Sequence, residues 1–276
     1  MIRPTQPRPE KTGILLAAFG SSSPVGARTL SAFENKLRAV FPTLPVRWAF
    51  TSDIIRNRLE EQRIKSDSVA KAVSRMSHEK FTHIAIQPLH LIEGLEYAAL
   101  CREAKATATR FDVAVSVGLP LLHSAEDVAR TGKALIENLP EERTKEEYVL
   151  FMGHGTSHKG DAGYGSLADY MAGQDPRVRI GTMEGALSLD SVLEHLSGAR
   201  AQRVWLLPLL SVVGTHARND MAGDQPDSLL GRITALGMDC QPVLTGTAEY
   251  PGCIDIWIEH AAEALRDFQG DKALSP

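Results

Sequence analysis

The chain has 276 residues, 43% of them apolar and 23% charged, which suits a soluble globular protein of two ordinary domains or one large one. A net charge of −4 with no basic block, and only 6% aromatic residues, disfavours a nucleic-acid partner. No apolar run approaches the ~18 residues that span a bilayer, and Cys101, Cys240 and Cys253 form no Cys-x-x-Cys pair, so they read as reduced core thiols.

The N-terminal stretch Met1 to Glu10 is rich in proline and lacks the apolar core of a signal peptide, so it reads as a loose tail and the protein as cytoplasmic. A periplasmic protein whose signal has been replaced by a start methionine fits the same residues. Ile14 to Phe19 is an apolar run that predicts a strand ending at Gly20-Ser21-Ser22-Ser23. Leu30, Phe33, Leu37 and Val40 then recur at helical spacing. Val46 to Phe50 is a second strand, followed by short helices over about 53–63 and 67–77. His83 to Pro88 is a third, running through His90 into a helix of about 95–110. Val113 to Val117 is a fourth, and a helix over about 125–138 leads to the charged run Pro140 to Glu147, the best candidate linker.

The pattern then repeats. Tyr148 to Met152 is an apolar strand ending at Gly153-His154, as the first ended at Gly20-Ser21. Val178 to Met183 ends at Glu184, as Val46 to Thr51 ended at Ser52. Val204 to Leu210 leads through Pro208 and Gly214 to His216, and Pro88 and Gly94 lead to Glu96 with the same spacing. Pro242 to Gly246 closes a last strand before a helix over about 253–267. The expected architecture is α/β: two similar Rossmann-like halves, 1–142 and 143–276, each a four-stranded parallel sheet flanked by helices, the second half keeping the C-terminal helix. A cleft between them would hold the site.

The repeat places His154, Glu184 and His216 at strand ends of the second half, and Ser21, Ser52 and Glu96 at the matching ends of the first. Two imidazoles and a carboxylate are ligand types for a divalent first-row metal at an open site. Bland readings stay open: His154 as a loop histidine bonding a carbonyl, His216 as the start of a helix, Glu184 and Glu96 as acidic residues at helix N-termini. Gly20-Ser21-Ser22-Ser23 offers hydroxyls and N–H groups to an anion, or is an ordinary turn. Nucleotide-binding loops and a Gly-x-Ser-x-Gly elbow do not occur.

Val149-Leu-Phe-Met-Gly-His-Gly155 with Ser157-His158, Leu209 to Ala222, Ala49-Phe-Thr-Ser52 and Ile86 to Tyr97 together resemble the sirohydrochlorin cobaltochelatases of anaerobic cobalamin synthesis, over about residues 12–266. The resemblance implies a class II chelatase fold and insertion of Co2+ into sirohydrochlorin with release of two protons, without an organic cofactor. It implies His154 as ligand and principal base, His216 as second ligand, Glu184 as third, and Glu96 as the residue that guides the ion or relays protons. Ser21, Ser22, Ser52 and His90 are the substrate-contact candidates. Because metal binding needs neutral imidazole, activity should fall below about pH 6.5. Iron insertion (Fe2+, for siroheme) and a non-catalytic tetrapyrrole or metal carrier are the alternatives, and a homo-oligomer, dimer or tetramer, is expected.

Overall fold

The computed structural model describes residues 9–270; the expected N-terminal tail lies, through residue 8, outside them. In chain order the elements are β1 (Thr12–Ala18), α1 (Pro24–Val40), β2 (Val46–Phe50), α2 (Asp53–Glu61), α3 (Val69–His78), β3 (His83–Pro88), α4 (Leu95–Phe111), β4 (Ala114–Val117) and α5 (Ala125–Glu137). The second half follows with β5 (Tyr148–Gly153), α6 (Ala162–Gln174), β6 (Val178–Thr182), α7 (Leu189–Gly198), β7 (Arg203–Leu209), α8 (Leu229–Ala235), β8 (Asp239–Pro242) and α9 (Pro251–Gly270).

Two four-stranded sheets result, ordered β2-β1-β3-β4 and β6-β5-β7-β8, with every pairing parallel. The repeat holds at the level of register. Pro88 pairs with Ala17 on β1, and Pro208 pairs with Met152 on β5, each near the carboxyl end of its strand. A central strand buried on both faces must be apolar along its buried length, as β1 is from Gly13 onward and β5 is throughout. Alternate residues serve different cores. Ile14, Leu16 and Ala18 join Val149, Phe151 and Leu207 in one cluster that takes a face from each sheet. Leu15 and Ala17 pack under α3 and α4, while Leu150 and Met152 pack under α7 and α8.

Helix α1 starts where Ser23 caps the N–H of Gly26 and Pro24 occupies the first turn. Leu30, Phe33 and Leu37 are buried as their spacing predicts, but Val40, the last residue of the helix, is 54% exposed. The sequence division differs from the structure at the C-terminus. Helix α9 packs on β3, β4 and α5, so the terminal helix belongs to the first half rather than the second. Trp257 is fully buried in the shared cluster and His260 donates through Nδ1 to the Leu119 carbonyl at 3.1 Å. Arg130 forms a two-pronged pair with Glu259 at 2.7 Å. Burying a Trp against the first half is worth several kcal/mol, far more than the exposed ion pair. Helix α5 in turn packs on α6, so helices cross between the halves in both directions.

Candidate active site

In both sheets the order reverses beside the central strand, between β1 and β3 and between β5 and β7. Helices following such strands diverge to opposite faces, and the carboxyl ends between them open a crevice. His154 leaves the end of β5 and His216 follows β7, so both histidines come from the strands that flank this point. The His154 loop is held tightly. Gly155 has φ +75°, and a Cβ there would stand 1.7 Å from the carbonyl oxygen of Glu184, so only glycine lets the two segments pass. The Glu184 N–H donates to the His154 carbonyl at 2.9 Å, which carries β5–β6 pairing into the loops. Asp161 then accepts from the N–H of Thr156 at 3.0 Å and of Ala186 at 2.8 Å, tying the His154 loop to the Glu184 loop.

The two imidazoles face each other edge-on, with ring centroids 5.2 Å apart and planes at 84°. His154 Nδ1 lies 3.1 Å from the Gly155 carbonyl oxygen, and His216 Nδ1 lies 2.5 Å from Asp220 Oδ2. A carbonyl or an ionised carboxylate only accepts, so both rings donate from Nδ1 and keep the lone pair on Nε2. Neither Nε2 has a protein partner among the described residues. A carboxylate behind a histidine is the arrangement that orients imidazole ligands and makes them more basic. His216 opens a π-helical turn, His216–Met221, where the matching position of the first half opens the long helix α4. Such turns are rare and concentrate at functional sites.

Across the cleft, Glu96 sits in the first turn of α4 behind Gly94. Its side chain is 54% exposed, yet the flanking walls keep enough water away to raise its pKa, with His154 and His216 pulling the other way. His90 lies beneath it, with Nε2 3.7 Å from Glu96 Oε2. The His90 side chain is 9% exposed, neither ring nitrogen has a hydrogen-bond partner, and burial pushes its pKa down to about 4. Its backbone carbonyl is fixed by the Leu121 N–H at 3.0 Å and the Trp257 indole at 3.4 Å, so α9 helps set this wall.

These groups share a cleft of about 480 Å³ that His90, Glu96, His154, Glu184 and His216 all line. The expected site residues do not all meet here. Ser21, Ser22 and Ser52 do not line it. The Ser21 hydroxyl is engaged with Ser23 and Ser52 caps α2 through the Ile55 N–H, so local helix-start geometry takes these two hydroxyls, while the Ser22 carbonyl accepts from the Gln62 side chain. The predicted metal triad is brought together only in part. Among the described residues no three His, Cys, Asp or Glu side chains converge closely enough to hold an ion, and the Glu184 side chain is exposed. His158 caps a short turn by accepting from the Gly160 N–H at 3.2 Å. Asp161, Asp220 and Arg58, which also lines the cleft, were not singled out in the sequence; only the four-residue spacing of His216 and Asp220 was a readable signal.

The sequence model of the cobalt chelatase (CbiK) family matches residues 12–266. The chain is 48% identical over 267 residues to the sirohydrochlorin cobaltochelatase CbiKC of Nitratidesulfovibrio vulgaris, covering 96% of this chain and 94% of that one. It is 34% identical over 257 residues to the sirohydrochlorin cobaltochelatase of Salmonella typhimurium, covering 92% and 97%. The fold matches that of the sirohydrochlorin chelatase SirB from Bacillus subtilis subspecies spizizenii, solved with cobalt, at a TM-score of 0.66 and 15% identity over 94% and 97% of the two chains. The chain belongs to the cobalt chelatase (CbiK) family.

Proposed function

We propose that this protein is a sirohydrochlorin cobaltochelatase, exchanging the two pyrrole protons of sirohydrochlorin for Co2+. The observation that carries the reading is the pair of crossed imidazoles, His154 and His216, each with Nδ1 tied back and Nε2 left over the cleft of a chain in this family. Neutral imidazole suits cobalt, and a site of few ligands lets the ion leave for the macrocycle. His154 and His216 hold the incoming ion through Nε2. Glu184 lines the same cleft and is strapped by its backbone to His154; to serve as third ligand its exposed carboxylate must swing toward the imidazoles as the ion arrives.

The two pyrrole protons need acceptors as the ion enters. Glu96 is suited to this because its carboxylate holds a proton more readily than an ordinary one, and His154 becomes a base once the ion has left it. His90, beneath Glu96 and held neutral by burial, takes no proton itself and leaves it on Glu96. No organic cofactor is needed, because the chelate is itself the thermodynamic sink. Imidazole and carboxylate also accept Fe2+, so metal preference is read from competition between Co2+ and Fe2+ for sirohydrochlorin. The test of the function is the absorbance spectrum of sirohydrochlorin with Co2+, with and without the protein. Conversion no faster than the uncatalysed rate would remove the chelatase reading.

A homo-oligomer and a cytoplasmic location complete the proposal, to be tested by sedimentation and by fractionation of the native host. Among the described residues no helix is long and apolar enough to cross a membrane.

A further inference from the structure

Seven large apolar side chains stand exposed among the described residues, and three of them, Phe19 (37%), Ile54 (63%) and Leu95 (58%), line the same cleft. All three come from the first half, opposite the two imidazoles. Clustered exposed apolar groups mark a binding surface, whereas scattered ones are ordinary. Ile54 and Arg58 lie four residues apart on α2, so they share one helix face, while Ile55 and Leu59 turn into the core. Arg58 is the one arginine or lysine that lines the cleft among the described residues. It has no carboxylate partner there; Nη1 donates instead to Thr215 Oγ1 at 3.2 Å, across from one half to the other.

We propose that Phe19, Ile54 and Leu95 seat one face of the tetrapyrrole ring, and that Arg58 holds one of its peripheral carboxylates. The inference rests on the proposed function, since it takes the substrate to be a flat, carboxylate-rimmed macrocycle. That shape matches the wall: apolar area for the ring face and a single cation at the edge for a carboxylate. A guanidinium has five N–H donors, so the bond to Thr215 leaves a fork for the substrate. Thr215 adjoins His216, and a carboxylate held by Arg58 therefore fixes the ring at the side where the second imidazole stands.

The test is a titration of metal-free sirohydrochlorin, followed by its absorbance, into the parent protein and the variants Arg58→Ala, Arg58→Lys, Ile54→Ser and Thr215→Val. Arg58→Ala should bind about tenfold more weakly, the loss expected for one charge-assisted hydrogen-bonded contact, with KM raised in step and kcat changed less than about twofold. Arg58→Lys should recover part of the loss and Ile54→Ser should weaken binding several-fold. Thr215→Val removes only the bridge between the halves and should bind no more weakly than the parent. Parental affinity in Arg58→Ala, or equal losses in Arg58→Ala and Thr215→Val, would overturn the seat while leaving the chelatase reading intact. A parent that neither binds nor metallates sirohydrochlorin would overturn both.

Discussion

Acid should destabilise this protein through one imidazole in particular. His90 is held neutral by burial, with its pKa pushed from the ordinary 6.5 to about 4. Between those values the unfolded chain takes up a proton that the folded chain refuses, so stability rises with pH across the window. The contribution is fully present above pH 6.5 and is lost as pH falls toward about 4. At 1.36 kcal/mol per unit the whole interval amounts to about 3 kcal/mol, most of it gone by roughly pH 4.5. The experiment is urea unfolding of the parent and of His90→Gln, followed by circular dichroism at several pH values from 7.5 to 4.5. Glutamine keeps a polar group beneath Glu96 but does not titrate, and all other titrating groups drop out of the difference. The parent should lose about 2–3 kcal/mol relative to the variant across this range. Parallel pH dependence in the two proteins, or a His90 resonance titrating near 6.5, would refute the assignment of a buried neutral ring.

The site itself yields further predictions. His154→Ala should abolish cobalt insertion and weaken Co2+ binding while leaving the circular dichroism spectrum unchanged; near-parental turnover would remove His154 from the mechanism. Glu96→Gln should lower kcat by about 10²-fold, and the rising limb of activity at a pH above the usual carboxylate range should disappear with it. A retained limb would assign that titration to another group. Gly155→Ala should shift the Glu184 loop, because the new Cβ meets the Glu184 carbonyl at 1.7 Å and the backbone is held at φ +75°. Its signature is loss of Co2+ affinity, measured by calorimetry, together with about 1–2 kcal/mol of strain. Trp257→Ala should cost about 3–5 kcal/mol in chemical denaturation and loosen the His90 wall, visible as faster amide exchange at Leu121.

The sequence carried whatever depends on neighbouring residues. Apolar runs at 14–19, 84–86, 148–152 and 204–210 disclosed the strands, since a parallel strand is buried on both faces and has no polar alternation to hide it. The matched proline–glycine spacing disclosed the duplication, and the duplication brought His154 and His216 to adjacent strand ends. Serines before helices, by contrast, stayed ambiguous: the residue looks the same in sequence whether its hydroxyl meets a substrate or, as at Ser52, the Ile55 N–H. The tertiary structure alone decided the rest. That α9 crosses to the first sheet, that Trp257 pins His90, and that Arg58 reaches Thr215 are contacts between residues 157 or more positions apart for the named pairs. No local periodicity encodes such contacts. They exist because each apolar or polar group found its partner only once the two halves had closed on a common core.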